Sequence, residues 1–153
     1  MRKSDAHILG FALAAGASDA FPVAGAIAVP MVQAAMLRQL GKLHGVDWDR
    51  RTYAEFAGAL GTGTLVRAAS TFGMRQLIKL IPVYGQTAGA AAAAAASFAA
   101  TYAMGKAAKY FLALRQEGRK TEEVASIYRQ TLRQAFHLAK ERDIGTGAAG
   151  AKP

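Results

Sequence analysis

The sequence predicts an all-α protein with five or six helices. Only 4 of its 153 residues are proline, so most of the chain is free to be helical. Apolar residues make up 52% of the chain and often recur at helical spacing. Residues 90–96 are consecutive alanines, the residue type with the highest helix propensity. We expect two hydrophobic hairpins rich in small residues, followed by an amphipathic helix and associated with a membrane.

The length of the chain fits one domain. We place a single helical domain at residues 1–143, with its amphipathic helix at 121–142 and a disordered tail at 144–153. A helix of the first hairpin is expected to end at Gly45, and Asp47 or Asp49 to cap the next helix. Pro30 lies inside that first hairpin, where we expect it to kink or restart the helix.

Residues 80–105 form the run around which we expect the chain to be organised. The run has 26 residues and no charge, which is long enough to span a bilayer as a helix. Alanine contributes little transfer energy, so the run also fits the centre of a helical bundle. Small residues let helices approach closely. The expected helix-packing positions are Gly85, Gly89, Ala92, Ala96 and Gly105.

Each hydrophobic run opens with a similar short motif. Pro22 and Gly25 stand in an apolar-Pro-Val-x-Gly pattern, which Pro82 and Gly85 repeat 60 residues later. Proline at a helix start costs no hydrogen bond, so both motifs are predicted to be helix-start turns. The repeat is consistent with a weak two-hairpin symmetry or with two independent helix starts.

The charge of the chain favours an anionic or acidic partner. Its formal net charge is +9, and residues 56–116 contain no Asp or Glu. Nucleic acid, anionic lipid and an acidic protein are the three candidate partner classes. Trp48 fits an interfacial anchor or a cover for a helix end. The candidate lipid or partner contacts are Trp48, Arg75, Lys79, Lys106, Lys109, Arg129, Arg133 and Lys140.

No motif in the sequence predicts chemistry. The absence of cysteine excludes disulfides and thiolate sites, and the three histidines have no ligand-like spacing. A nucleotide-binding P-loop and paired carboxylates in an apolar setting are also missing. We therefore predict a non-enzyme with no catalytic, cofactor-binding or metal-binding residue.

Several short motifs carry a family resemblance. They are the helix end at 42–46 (KLHGV), the turn at 80–85 (LIPVYG), the alanine-rich run that follows, TYAMG at 101–105 and the pair Tyr110-Phe111. Over about residues 20–118 the chain resembles the YcjF-like family of GTPase-associated bacterial membrane proteins. The resemblance implies association with the bacterial inner membrane, a possible Era-like GTPase partner and no catalytic residue. These residues include no GTPase domain, so we expect any such GTPase to be a separate chain.

Three functions remain open at this point. The leading expectation is a membrane-associated helical adaptor or scaffold that self-associates through small-residue helix faces. The first alternative is a pore or transport component of the inner membrane that uses the two helix-start turns at membrane depth. The second alternative is a soluble basic helical bundle that binds nucleic acid.

Overall fold

A computed structural model describes residues 2–19, 24–61 and 90–149. All regular secondary structure in these ranges is α-helical, which confirms the predicted all-α class. The five helices are α1 (Arg2–Asp19), α2 (Ala24–His44), α3 (Arg50–Leu60), α4 (Ala90–Gln116) and α5 (Val124–Ala149). The predicted helix over about residues 65–80 lies outside the described residues.

Helix α4 is the central helix, and α1 packs against it in the antiparallel direction. Near the end of α1, a Cβ on Gly16 would lie 3.1 Å from the carbonyl oxygen of Ala94, near the start of α4. Near the other end, Asp5 meets Lys106, twelve residues further along α4. The two contacts fix the direction of α1 along most of the length of α4.

Helix α2 runs parallel to α4. The side-chain amide of Gln33 donates to the Thr101 hydroxyl over 3.1 Å, and farther along the pair Gln116 donates to the carbonyl oxygen of His44. Thr101 is fully buried, so the hydrogen bond from Gln33 offsets the cost of removing its hydroxyl from water. Helices α1 and α2 therefore lie antiparallel to each other, with α4 packed against both.

Helices α3 and α5 complete the bundle at the C-terminal end of α4. Gly118, with a φ of 65°, turns the chain back, and α5 returns antiparallel to α4. The Tyr110 hydroxyl donates to the Glu123 carboxylate over 2.7 Å across this turn. Helix α3 packs against α4 through Phe56 and Phe111, whose ring centroids lie 5.4 Å apart.

The ends of α2 and α3 follow the local signals in the sequence. Gly45 has a φ of 65° directly after α2, which confirms the predicted helix end. Asp49 is the cap of α3, because its carboxylate accepts a hydrogen bond of 2.7 Å from the backbone N–H of Thr52. That hydrogen bond lowers the pKa of Asp49, since it favours the charged carboxylate.

Two predicted boundaries differ from the structure. Helix α2 continues through Pro30 without restarting, and the ring of Pro30 lies on the exposed side. Proline has no backbone N–H, so α2 lacks one helical hydrogen bond at this position. The packing of α2 against α1 and α4 keeps the helix continuous. Helix α5 continues to Ala149, beyond the expected end at Arg142 and into the range predicted as a disordered tail.

Trp48 lies in an aromatic cluster rather than on an open surface. Its ring centroid is 5.0 Å from that of Tyr53, 5.4 Å from Phe56 and 6.3 Å from Phe111. The indole also lies so close to Gly41 of α2 that any Cβ there would clash with it. Trp48 thus covers the end of α2 and joins α2, α3 and α4.

Gly105 is the point at which α1, α2 and α4 converge. A Cβ on Gly105 would lie 2.7 Å from Cγ2 of Ile8 and 2.9 Å from Sδ of Met36. Both of those side chains have no exposed surface, so neither can move into solvent. The missing side chain of Gly105 therefore lets the three helices approach one another.

We expect Gly105→Ala to lower the free energy of unfolding by about 1–3 kcal/mol, the usual cost of overpacking a core. Gly10→Ala is the matched control, because Gly10 also lies within a helix but a Cβ there would meet nothing within 4 Å. The free energy of unfolding of this control should rise by up to about 1 kcal/mol, because alanine has a higher helix propensity than glycine. Urea unfolding measures both values. Equal stabilisation by the two substitutions would contradict the close approach at Gly105.

Candidate functional site

Two of the predicted contact cations form a partly buried charge cluster between α1 and α4. Lys106 donates to one carboxylate oxygen of Asp5 over 2.7 Å, and Lys109 donates to the other over 2.8 Å. The side chain of Lys109 is only 17% exposed. Asp5 thus joins α1 to α4 through two charge-assisted hydrogen bonds. The single carboxylate offsets one of the two lysine charges, and both lysines help to hold α1 on α4.

The pKa values of this cluster follow from its hydrogen bonds. Those from Lys106 and then Lys109 lower the pKa of Asp5, against a smaller opposing effect of burial. Burial by itself lowers the pKa of Lys106, but the hydrogen bond to Asp5 and the nearby Tyr102 outweigh it and the pKa is raised. Both shifts favour the charged pair.

Helices α1 and α2 expose an apolar surface, which we call the α1–α2 outer face. Leu13 is 56% exposed, Ile27 66% and Met31 67%. Their neighbours on the same two exposed helix sides are also apolar. The α1–α2 outer face consists of Ala6, Leu9, Gly10, Leu13, Ala14 and Ala17 of α1 and Ile27, Pro30, Met31 and Ala35 of α2.

Three exposed cations lie at one end of this face. Arg38 and Lys42 continue the helical stripe that Ile27 and Met31 begin, because their spacings of three, four and seven residues keep them on one side of α2. Lys3 joins them, since the antiparallel packing of α1 and α2 brings the start of α1 beside the end of α2. Within the described part of the chain, none of the three cations has an ion-pair partner. The surface is thus apolar at one end and basic at the other.

Three further predicted cations lie elsewhere, on α5. Arg129 and Arg133 are exposed and one helical turn apart. Lys140 also belongs to α5, although the structure does not describe its side chain. Arg75 and Lys79 lie outside the described residues.

The predicted helix-packing positions have different environments. Gly105 is buried at the convergence of three helices, Ala96 is partly buried and Ala92 is exposed. Gly25 lies in the first turn of α2. The predicted positions Pro22, Pro82, Gly85 and Gly89 lie outside the described residues.

A cleft of about 710 Å³ lies between α3, the end of α4 and the turn to α5. Its charged lining is already paired in part, because Arg115 binds Glu55 over 2.8 Å and also donates to the Thr52 hydroxyl. Arg119 pairs with Glu117 over 3.3 Å near the cleft. In the described ranges, no three His, Cys, Asp or Glu side chains come together in a way that could hold a metal ion.

Sequence reasoning missed both Asp5 and the exposed side of α1. Asp5 resembled a helix cap, and its partners Lys106 and Lys109 lie more than 100 residues away in the chain. The signal for the pairing was weak: two lysines that follow a long uncharged run need a carboxylate when their helix is central. Residues 8–17 of helix α1 are all apolar or glycine, so the sequence of this part does not indicate which side faces the core.

Comparisons of this chain with protein-family models, with curated protein sequences and with solved structures find no match. Among the helices that the structure describes, none is long and apolar enough to cross a membrane.

We expect Asp5→Asn to lower the free energy of unfolding by about 1 kcal/mol at pH 7, because Lys106 and Lys109 lose their counter-charge. The pKa of Asp5 is lowered from 3.8 in the folded state. Its contribution is therefore present above that value and is lost as the pH falls through the lower folded pKa. Urea unfolding at pH 7 and at successively more acidic values should show the wild type and the variant converging in acid.

Asp47→Asn is the control for this measurement. Asp47 is an exposed carboxylate in the turn between α2 and α3. The control should match the wild type at every pH. A difference between Asp5→Asn and the wild type that stayed constant into strong acid would contradict the charge pairing.

Proposed function

We propose that this protein is a non-enzymatic, membrane-associated helical scaffold or adaptor whose α1–α2 outer face lies against an anionic bilayer. The observation that carries the proposal is the division of this face into an exposed apolar part and a basic end. Such a surface fits the boundary between acyl chains and headgroups, where apolar side chains enter the bilayer and cations remain at the phosphates.

The apolar part supplies the first source of binding energy. Ile27 and Met31 are each about two-thirds exposed, and Leu9 and Leu13 are about half exposed. Removing apolar surface from water is favourable by about 25 cal/mol per Å². These four large side chains lie exposed on two adjacent helices, so their apolar surface is available for contact with acyl chains.

The basic end supplies the second source and selects the lipid. Lys3, Arg38 and Lys42 each contribute about 1 kcal/mol near an anionic membrane surface. No Asp or Glu occurs in residues 20–46, so this segment carries no opposing acidic charge. Lys106 and Lys109 do not contribute in this proposal, because Asp5 binds them.

The family resemblance extends the proposal. It supports a location at the bacterial inner membrane and an Era-like GTPase, as a separate chain, for the adaptor to recruit. Self-association is part of the same proposal.

Flotation with vesicles tests the lipid contact. The wild type should float with vesicles of phosphatidylcholine and phosphatidylglycerol, and more weakly with phosphatidylcholine alone. Ile27→Gln with Met31→Gln should reduce binding to both vesicles by about tenfold or more, because apolar burial is lost. Arg38→Gln with Lys42→Gln should weaken the binding free energy by about 2 kcal/mol, and only for the anionic vesicles.

Leu138→Gln is the matched control, because Leu138 is 60% exposed but lies on α5. Its binding to both vesicles should equal that of the wild type. Absence of the wild type from the floating fraction, or an equal loss in Leu138→Gln, would refute a lipid contact at the α1–α2 outer face.

A further inference from the structure

The outer side of α5 is a second unpartnered surface, separate from the α1–α2 outer face. Helix α5 packs on the bundle through Val124, Tyr128 and Ala135, which are at most 4% exposed. Its opposite side faces solvent. We define the α5 outer face as Arg129, Gln130, Arg133, Gln134, Phe136 and His137, all of which are exposed.

The charge on this face has one sign. Residues 124–140 contain no Asp or Glu, and neither does the adjacent helix α4. The nearest acidic residue that precedes this face in the sequence is Glu123, in the turn before α5. Its carboxylate accepts a hydrogen bond from Tyr110. Among the described residues, neither Arg129 nor Arg133 has an ion-pair partner. The two guanidinium groups are therefore free to bind carboxylates from outside the chain.

An exposed apolar side chain lies beside these cations. Phe136 is seven residues after Arg129 and three after Arg133, which places it on their side of α5, and it is 42% exposed. Arginine and aromatic residues beside each other are typical of protein interfaces and of their energetic hot spots. Glutamines and a histidine make up the rest of the face, so it has less apolar surface than the α1–α2 outer face. This composition favours a protein partner over a bilayer.

The position of α5 keeps this face away from the proposed membrane surface. On α4, Ala94, Thr101 and Gly105 lie on the stripe that meets α1 and α2. Among the described residues, helix α5 packs mainly against α4 and makes few or no contacts with α1 and α2. A molecule bound to lipid through α1 and α2 thus still offers its α5 outer face to another protein.

We propose that the α5 outer face binds an acidic amphipathic helix of a partner protein. Arg129 and Arg133 are four residues apart, or about 6 Å along the helix axis. Two carboxylates spaced by one turn on the partner match them, and an apolar residue about one turn further on covers Phe136. This inference concerns a different surface from the lipid contact and does not depend on it.

A designed peptide tests the proposal without a known partner. The probe is a fluorescein-labelled, helix-forming peptide of 20 residues with glutamates at i and i+4 and a leucine at i+7. Fluorescence anisotropy at physiological salt should show saturable binding. A scrambled peptide of the same composition should bind at least fivefold more weakly, because its charges do not match the spacing of the arginines.

Variants assign the binding to the face. Arg129→Glu with Arg133→Glu should weaken the affinity for the peptide at least tenfold, and Phe136→Ala should weaken this affinity severalfold. Arg50→Glu with Lys120→Glu is the matched control, because it changes the net charge equally at exposed positions off the face. It should change affinity less than twofold. Circular dichroism and the fluorescence of Trp48, the only tryptophan, verify the fold of each variant.

Several outcomes would overturn the proposal. They include no saturable binding, equal binding of the scrambled peptide, and an equal loss in the Arg50 and Lys120 control. The Arg129 and Arg133 variant also separates other occupants of the face. If it abolished binding to phosphatidylglycerol vesicles, to a 20-nucleotide single-stranded DNA or to a second copy in sedimentation, the face would belong to that occupant instead.

Discussion

The convergence of three helices at Gly105 determines how the rest of this bundle is arranged. Because Gly105 has no side chain, Ile8 of α1 and Met36 of α2 both reach the backbone of α4. Asp5 then ties the start of α1 to Lys106 and Lys109. Small residues permit the approach, and a charge cluster at the edge of the contact fixes its register. With α1 and α2 held in this way, their remaining surfaces face outward.

That arrangement divides the cations by role. In the sequence, Lys106 and Lys109 resemble Arg129 and Arg133, since both pairs lie in helical stretches without Asp or Glu, residues 90–116 and 124–140. In the structure the lysines are paired with a partly buried carboxylate between α1 and α4, whereas the arginines face solvent. The charges available to partners therefore come from the end of α1–α2 and from α5. These surfaces lie on different sides of α4, which is the geometry that an adaptor between a membrane and a protein requires.

The parts of the fold that depend on local sequence could be predicted. The all-α class, the end of α2 at Gly45 and the cap of α3 at Asp49 follow from propensity, glycine conformation and side-chain capping. The pairing of Asp5 could not be predicted, because it depends on how two distant helices pack. The outer side of α1 could not be predicted either. Residues 8–17 of this helix are all apolar or glycine, and only the packing decides which of them are covered. Pro30 shows the same effect, because packing keeps α2 continuous where local preference favours a break.

The central claim is that the molecule has two sides, one for lipid and one for a protein partner. The chain has no cysteine, so a single nitroxide label can be placed at Met31→Cys on α2 or at Gln134→Cys on α5. Electron paramagnetic resonance with oxygen and a water-soluble nickel relaxant then reports the depth of each label on phosphatidylglycerol-containing vesicles. We predict that the label at position 31 lies within the acyl chains and the label at position 134 stays in water. Two labels in water, or two labels at the same depth, would contradict the account.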